Sequence, residues 1–176
     1  AGFTHWAKLN NLKQAAKTMN FLTEHGISSY GELESKLTAV SARRDTAHAE
    51  IKRIESRSAE LALVMKHAGT YRQLKPLYER YRKSNDKEKF LRGHESEIIL
   101  FEAAARELKR LGAVPLPTTE SMKTELANLS AEKERLLTEY KTARTEAQEY
   151  DTVKQNVDAL LAVPKEQKQQ RRHELE

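Results

Sequence analysis

The chain has 176 residues and a formal net charge of +5, and Ala, Glu, Leu, Lys and Arg make up more than half of it. This composition is typical of long helices and coiled coils, and only 6 Gly and 4 Pro argue against a turn-rich all-β fold. The absence of cysteine excludes disulfides and thiolate metal sites. Apolar runs are too short to cross a membrane and no basic-then-apolar leader opens the chain, so we expect a cytoplasmic protein.

The first predicted helix covers residues 4–25 and carries one apolar stripe. The stripe consists of Trp6, Leu9, Leu12, Ala16, Met19 and Leu22. Gly26 is expected to end the helix, because glycine readily adopts a positive φ. Ser29 and Glu32 have the spacing of a capping box, which predicts the start of a second helix.

The second predicted helix shows a heptad repeat over residues 30–68. Its a positions are Tyr30, Leu37, Arg44, Ile51, Ser58 and Met65, and its d positions are Leu33, Val40, Ala47, Ile54, Leu61 and Ala68. Only Arg44 and Ser58 are polar. A repeat this regular predicts a coiled-coil seam.

A similar repeat covers residues 118–162, after Pro115 and Pro117, with Thr118 as the expected N-cap. One heptad line consists of Met122, Leu129, Leu136, Ala143, Tyr150 and Val157. The other consists of Leu126, Tyr140, Ala147 and Leu161, and is interrupted by Lys133 and Lys154. We expect Pro164 to end this helix and residues 164–176 to form a flexible tail.

Residues 69–117, between the two repeats, predict a small helical head. One helix face there consists of Tyr71, Leu74, Leu77, Tyr78 and Tyr81, and Pro76 suits only a first turn or a kink of that helix. Asn85 is expected to cap a short helix that Gly93 breaks, and Gly112 to end the last helix of the head.

The predicted fold class is therefore all-α. We expect one elongated domain over residues 1–163, in which the two heptad helices form an antiparallel coiled-coil hairpin. The first helix (4–28 with its connection) packs on the base of this stalk (29–68 and 118–162), and the basic head (69–117) lies at its other end.

The positive charge is concentrated in residues 66–92, which we call the basic segment. It has a formal charge of +6, whereas the rest of the chain has −1, and three of its residues are tyrosines. Cations neutralise phosphates and aromatic faces stack on unpaired bases. The candidate nucleic-acid-binding residues are therefore Arg72, Lys75, Tyr78, Arg80, Tyr81, Arg82 and Lys83. Alternatively, the tyrosines pack the core of the head and the charges form its solvated face.

We expect no catalytic residue, no metal site and no cofactor. No two histidines stand three, four or five residues apart, so no helical pair of metal ligands is present. A glycine-rich phosphate loop and a nucleophile–base arrangement are also missing from the sequence. A second basic stretch, which includes Lys165, Lys168, Arg171 and Arg172, is either a solvated tail or a flexible DNA contact.

A family resemblance rests on short segments spread over residues 6–163. They are Asn11-Leu12-Lys13-Gln14, Leu22 to Ile27, Ser29-Tyr30 with Glu32-Leu33, Tyr78 to Lys83, Lys89-Phe90-Leu91 with His94-Glu95, Ile98 with Leu100, and Val153 to Asp158. Together they resemble the C-terminal region of relaxase/mobilisation nuclease proteins from conjugative or mobilisable elements, chiefly of Gram-positive bacteria.

The resemblance implies a non-catalytic accessory module of a bacterial DNA-mobilisation protein. A relaxase nicks one strand at an origin of transfer through a tyrosine, but none of the nuclease motifs matches here, so no catalytic residue is carried over. The implied partners are single-stranded or origin-of-transfer DNA, the relaxosome, or the coupling protein of the secretion machinery. The alternative is a coiled-coil protein–protein interaction or homodimerisation module without nucleic-acid binding.

Overall fold

The computed structural model describes the backbone of residues 2–173 and the side chains of residues 10–162. It contains four helices, α1 (Gly2–Glu24), α2 (Tyr30–Lys83), α3 (Lys87–Arg110) and α4 (Thr119–His173), and no strand in the described part of the chain. The helices form two compact units, Ala1–His48 with Leu137–Glu176, and Ala49–Leu136. The prediction of an all-α fold based on a hairpin of long helices is confirmed.

In the first unit, α2 and α4 pack antiparallel along the predicted heptad positions. Tyr30 donates a hydrogen bond from its hydroxyl to Asp158 Oδ1 at 2.6 Å, and Arg43 forms an ion pair with Glu146. As the residue number along α2 rises from 30 to 43, the number of its contact residue on α4 falls from 158 to 146, so the two helices run in opposite directions. Leu33, a predicted d residue, is only 1% exposed, as expected for a coiled-coil seam.

The predicted apolar stripe of α1 is wrong at Leu12 and Met19, although Leu22 does pack against the core of the first unit. Leu12 is 68% exposed and Met19 is 58% exposed, whereas Thr18 is 1% exposed. Asn156 Nδ2 on α4 donates to Thr18 Oγ1 at 3.1 Å. Since this buried hydroxyl has a partner, a polar residue occupies the middle of the packed face without a large desolvation cost. The predicted stripe also included two residues whose side chains lie outside the described part, Trp6 and Leu9.

The second unit has its own hydrophobic core, to which α2, α3, α4 and the α3–α4 connection all contribute. Its buried residues are Leu61, Val64, Ala68, Leu108, Ala113 and Met122. Lys133, which interrupts a heptad line of α4, forms an ion pair with Glu55 of α2 at 2.7 Å. The interruption of the apolar pattern is thus compensated by a charge on the facing helix.

Helix α2 continues to Lys83, so the prediction that the heptad helix ends at residue 68 is wrong. Pro76 lies inside the helix, where it removes one backbone hydrogen bond. The rings of Tyr71 and Tyr78 on these last turns stack on Phe101 of α3. We attribute the continuation of α2 to this packing, because tertiary contacts often override local helix propensity.

The start of α3 also differs from the prediction. Asp86 rather than Asn85 is the N-cap, and its carboxylate accepts a hydrogen bond from the Lys89 backbone N–H at 2.9 Å. The break predicted at Gly93 is a kink at His94, whose φ of −143° and ψ of 24° are non-helical, and α3 continues beyond it. The two predicted helices of the head are therefore one kinked helix.

The other predicted helix ends agree with the structure, with one exception. Gly26 and Gly112 have φ of 61° and 67°, Ser29 Oγ accepts from Glu32 N at 3.2 Å, and Thr118 Oγ1 accepts from the N–H of the third residue after it. In contrast, α4 extends to His173. The end predicted at Pro164 is therefore wrong, because a proline kinks a helix without having to end it.

The predicted flexibility of residues 164–176 stays a prediction. The side chains of the second basic stretch lie outside the described part of the chain.

Candidate nucleic-acid interface

Two arginines in the middle of the second unit are paired with carboxylates. Arg53 forms an ion pair with Glu50 at 2.8 Å, and Arg57 Nε lies 2.8 Å from Glu125 Oε1 of α4. The hydrogen bond from Arg57 to Glu125 raises the pKa of the guanidinium group. Arg57 therefore connects α2 to α4, whereas Arg53 is paired within α2, and both guanidinium groups already have a carboxylate partner.

The last turns of α2 and the first turn of α3 carry a different set of cations, which we call the basic surface. It consists of Lys75, Arg80, Arg82, Lys83, Lys87 and Lys89, all exposed. Within the described side chains, none of these six forms an ion pair, and the same holds for Glu79 on the same turns. The basic surface thus combines high local charge with free side chains, as a polyanion site requires.

Arg72, a predicted binding residue, has a structural contact instead. Its Nη1 donates to Thr119 Oγ1 at 2.7 Å, and its Nη2 donates to the Pro117 carbonyl oxygen at 2.5 Å. The guanidinium group therefore holds the segment that leads into α4. We exclude Arg72 from the basic surface for this reason.

Tyr78, another predicted binding residue, packs inside the unit. Its ring stacks on Phe101 with centroids 4.2 Å apart and planes at 23°, and its hydroxyl donates to Glu102 Oε1 at 3.4 Å. Phe101 also stacks on Tyr71 at 4.8 Å. Since one face of Tyr78 is already covered, its geometry fits core packing better than base stacking.

Tyr81 begins a series of rings that reaches the start of α3. It is half-buried, and its centroid lies 5.9 Å from that of Tyr78 and 6.1 Å from that of Phe90. Phe90 in turn lies 4.8 Å from His94. The sequence analysis proposed neither Phe90 nor His94 as a binding residue. The sequence feature that could have indicated this pair is a phenylalanine next to Lys89 in the basic segment, followed by a histidine four residues later.

The described residues were also searched for a metal site and for a membrane-spanning helix. They contain no group of three or more His, Asp or Glu side chains placed to hold a metal ion. None of the helices searched there combines the length and the apolar character that crossing a membrane requires.

Comparison with known proteins adds no assignment. No protein-family model, no curated protein and no solved structure matches the chain.

Proposed function

We propose that this chain is a non-catalytic accessory module of a relaxase-type DNA-mobilisation protein and that its basic surface binds the phosphates of DNA. The observation that supports this most strongly is the contrast in charge pairing. The arginines of the α2–α4 pair contact carboxylates, whereas the six cations of the basic surface have no ion pair among the described side chains. The mobilisation context comes from the sequence resemblance.

The physical basis is counterion release. Each lysine or arginine that neutralises a phosphate frees a condensed cation, so binding weakens as salt rises. Side chains without a carboxylate partner, such as Lys75 and Arg82, need not break an ion pair before they contact a phosphate. The binding residues in this proposal are Lys75, Arg80, Arg82 and Lys83 of the original prediction, together with Lys87 and Lys89.

The test is fluorescence anisotropy of a labelled single strand and a labelled duplex, titrated with the full chain at low and near-physiological salt. We expect micromolar or tighter binding at low salt that weakens steeply as salt is raised. No binding of either oligonucleotide at low salt would contradict the proposal.

A pair of variants with equal loss of charge locates the interaction. The test variant is Lys75→Gln, Arg82→Gln and Lys83→Gln, and the matched control is Lys52→Gln, Lys123→Gln and Lys141→Gln, which changes exposed lysines elsewhere. At about 0.1 M salt we expect the test variant to lose roughly 10- to 100-fold in affinity. The control should lose far less, and an equal loss in both would argue against a local binding surface.

A second candidate function, protein recruitment or homodimerisation, is favoured by exposed apolar side chains in the first unit. Leu12 and Met19 on α1 are more than half exposed, and so is Leu161 on α4. Such residues, when contiguous, mark interaction surfaces. Light scattering and relaxosome or coupling-protein pull-down with Leu12→Gln and Met19→Gln test this function, which predicts loss of association at any salt concentration.

A further inference from the structure

A cavity of about 330 Å³ lies at the α2–α3 turn of the second unit. It is lined by Ser84, Asp86, Lys89, Phe90, Gly93 and His94. Lys89 also belongs to the basic surface, so this cavity adjoins the proposed phosphate-binding cations. It is open to solvent and not enclosed, so a ligand seated in it would stay partly exposed.

One wall of the cavity is aromatic. Phe90 and His94 are both half-buried, and their ring centroids lie 4.8 Å apart with planes at 39°. Tyr81 is a further ring in this series, with its centroid 6.1 Å from that of Phe90. A partly exposed ring is the kind of platform on which a planar base stacks, whatever its sequence.

Some polar groups of the cavity are already hydrogen-bonded within the protein, and one charged group is not paired. Ser84 Oγ donates to the Asp86 carbonyl oxygen at 3.1 Å, and the Asp86 carboxylate accepts from the Lys89 backbone N–H at 2.9 Å. The Lys89 ammonium group, in contrast, has no ion pair among the described side chains. The site therefore offers an aromatic face beside a free positive charge, which suits a base with its phosphate.

Gly93, which lines this cavity, has open space beside it. A Cβ atom built on Gly93 would meet nothing within 4 Å, and Gly93 has no positive φ that would exclude a side chain. A larger residue at this position would project into free space and reduce the volume of the cavity. Gly93 therefore provides a way to close the site without altering a charge or an aromatic ring.

We propose that this cavity takes one unpaired nucleobase of a single strand, which stacks on Phe90 and His94 while Lys89 contacts a neighbouring phosphate. This inference rests on the proposed function of the basic surface and adds a preference to it. Bases in a duplex are already stacked on both faces, so only an unpaired base fits. The full chain should therefore bind a single strand more tightly than a duplex of the same length.

The experiment compares a short thymine single strand with an abasic strand of equal length and with a duplex, by anisotropy at fixed low salt. For Phe90→Leu, which keeps an apolar side chain, we expect about a tenfold loss of affinity for the thymine strand. Affinity for the abasic strand should be unchanged, because that strand has phosphates and no base. Equal loss on both strands, or no loss on either, would overturn the inference.

A second variant protects the test against misfolding. Gly93→Leu should also weaken binding of the thymine strand alone, and Gly69→Leu on α2, another glycine with open space around it, should not. Circular dichroism establishes that all variants remain helical. If wild-type chain binds the abasic and the thymine strand equally, the base site is refuted and the phosphate proposal stands. If it binds neither, the proposed function itself fails.

Discussion

Two stretches of α2 in the second unit are rich in cations and use them differently. Around Arg53 and Arg57 the guanidinium groups contact carboxylates of α2 and α4. From Lys75 to Lys83 the cations form no ion pair in the described part of the chain. Two of the carboxylates that pair with Arg53 and Arg57, Glu50 and Glu60, lie on α2 itself, and Glu125 lies on α4. The charge balance along α2 therefore already separates the two stretches, and the structure adds which carboxylates the arginines contact.

The largest effect should come from the core beneath the paired stretch. Leu61 is 3% exposed in a cluster with Met122, so Leu61→Ala should lower the free energy of unfolding by about 2–5 kcal/mol. Leu63, two residues later and 43% exposed, is the matched control, and its alanine variant should cost less than about 1 kcal/mol. Chemical denaturation followed by circular dichroism measures both free energies of unfolding. Similar losses would contradict the placement of Leu61 in the core and of Leu63 on the surface.

Arg72 should contribute to the stability of the fold and not to DNA binding. Arg72→Gln removes the hydrogen bonds to Pro117 and Thr119, and we expect a loss of about 1 kcal/mol in unfolding free energy. The affinity of this variant for an oligonucleotide should fall only as much as it does when a cation outside the basic surface is neutralised. Arg80→Gln is the control with the opposite profile, weaker DNA binding at unchanged stability. An Arg72 variant that is fully stable but binds DNA poorly would return this residue to the basic surface.

Single neutralisations in the two stretches should differ in their cost to stability. Arg57→Gln removes ion pairs with Glu125 and Glu60 and should cost about 0.5 kcal/mol, since the pairs are partly exposed. Lys83→Gln relieves repulsion from neighbouring cations but loses a favourable interaction with the C-terminal end of α2, so it should be close to neutral. Thermal unfolding at low salt compares the two variants, and high salt should reduce both effects. A cost of Lys83→Gln as large as that of Arg57→Gln would contradict the difference between the two stretches.

A small pH effect is expected in the first unit. The Tyr30 hydroxyl, followed by Lys154, holds the pKa of Asp158 below its ordinary value. A lowered carboxyl pKa stabilises the fold above the pKa of the unfolded chain, and this contribution is lost as pH falls through the folded value. Below about pH 4 the stability of wild-type chain should therefore fall more than that of Asp158→Asn. Melting temperatures measured from neutral to acidic pH would contradict this if the two curves stayed parallel.

The heptad helices could be predicted because their core residues repeat with a fixed period. Leu33, Ile54 and Leu61 are buried where the repeat places them. Thr18 was missed, because a buried hydroxyl with an asparagine partner leaves no apolar signal in the sequence. The end of α2 was also predicted wrongly. Pro76 is visible in the local sequence and argues against a continuous helix, whereas the stacking of Tyr78 on Phe101 depends on a residue distant in sequence.

The candidate site was predictable in its charge and not in its contacts. Composition alone located the basic segment. Which of its members are free depends on residues distant in sequence, as Arg72 illustrates through its bonds to Pro117 and Thr119. The pairing of Phe90 with His94 was within reach of the sequence, because residues four apart lie on the same face of a helix.

The most direct test of the account is the salt dependence of single-strand binding for the two triple-glutamine variants. We predict that the slope of log K against log salt becomes shallower by about 2 when Lys75, Arg82 and Lys83 are neutralised, at about 0.7 for each lost phosphate contact. The slope of the matched control should equal that of wild-type chain. Identical slopes for all three proteins would contradict the claim that the basic surface binds DNA.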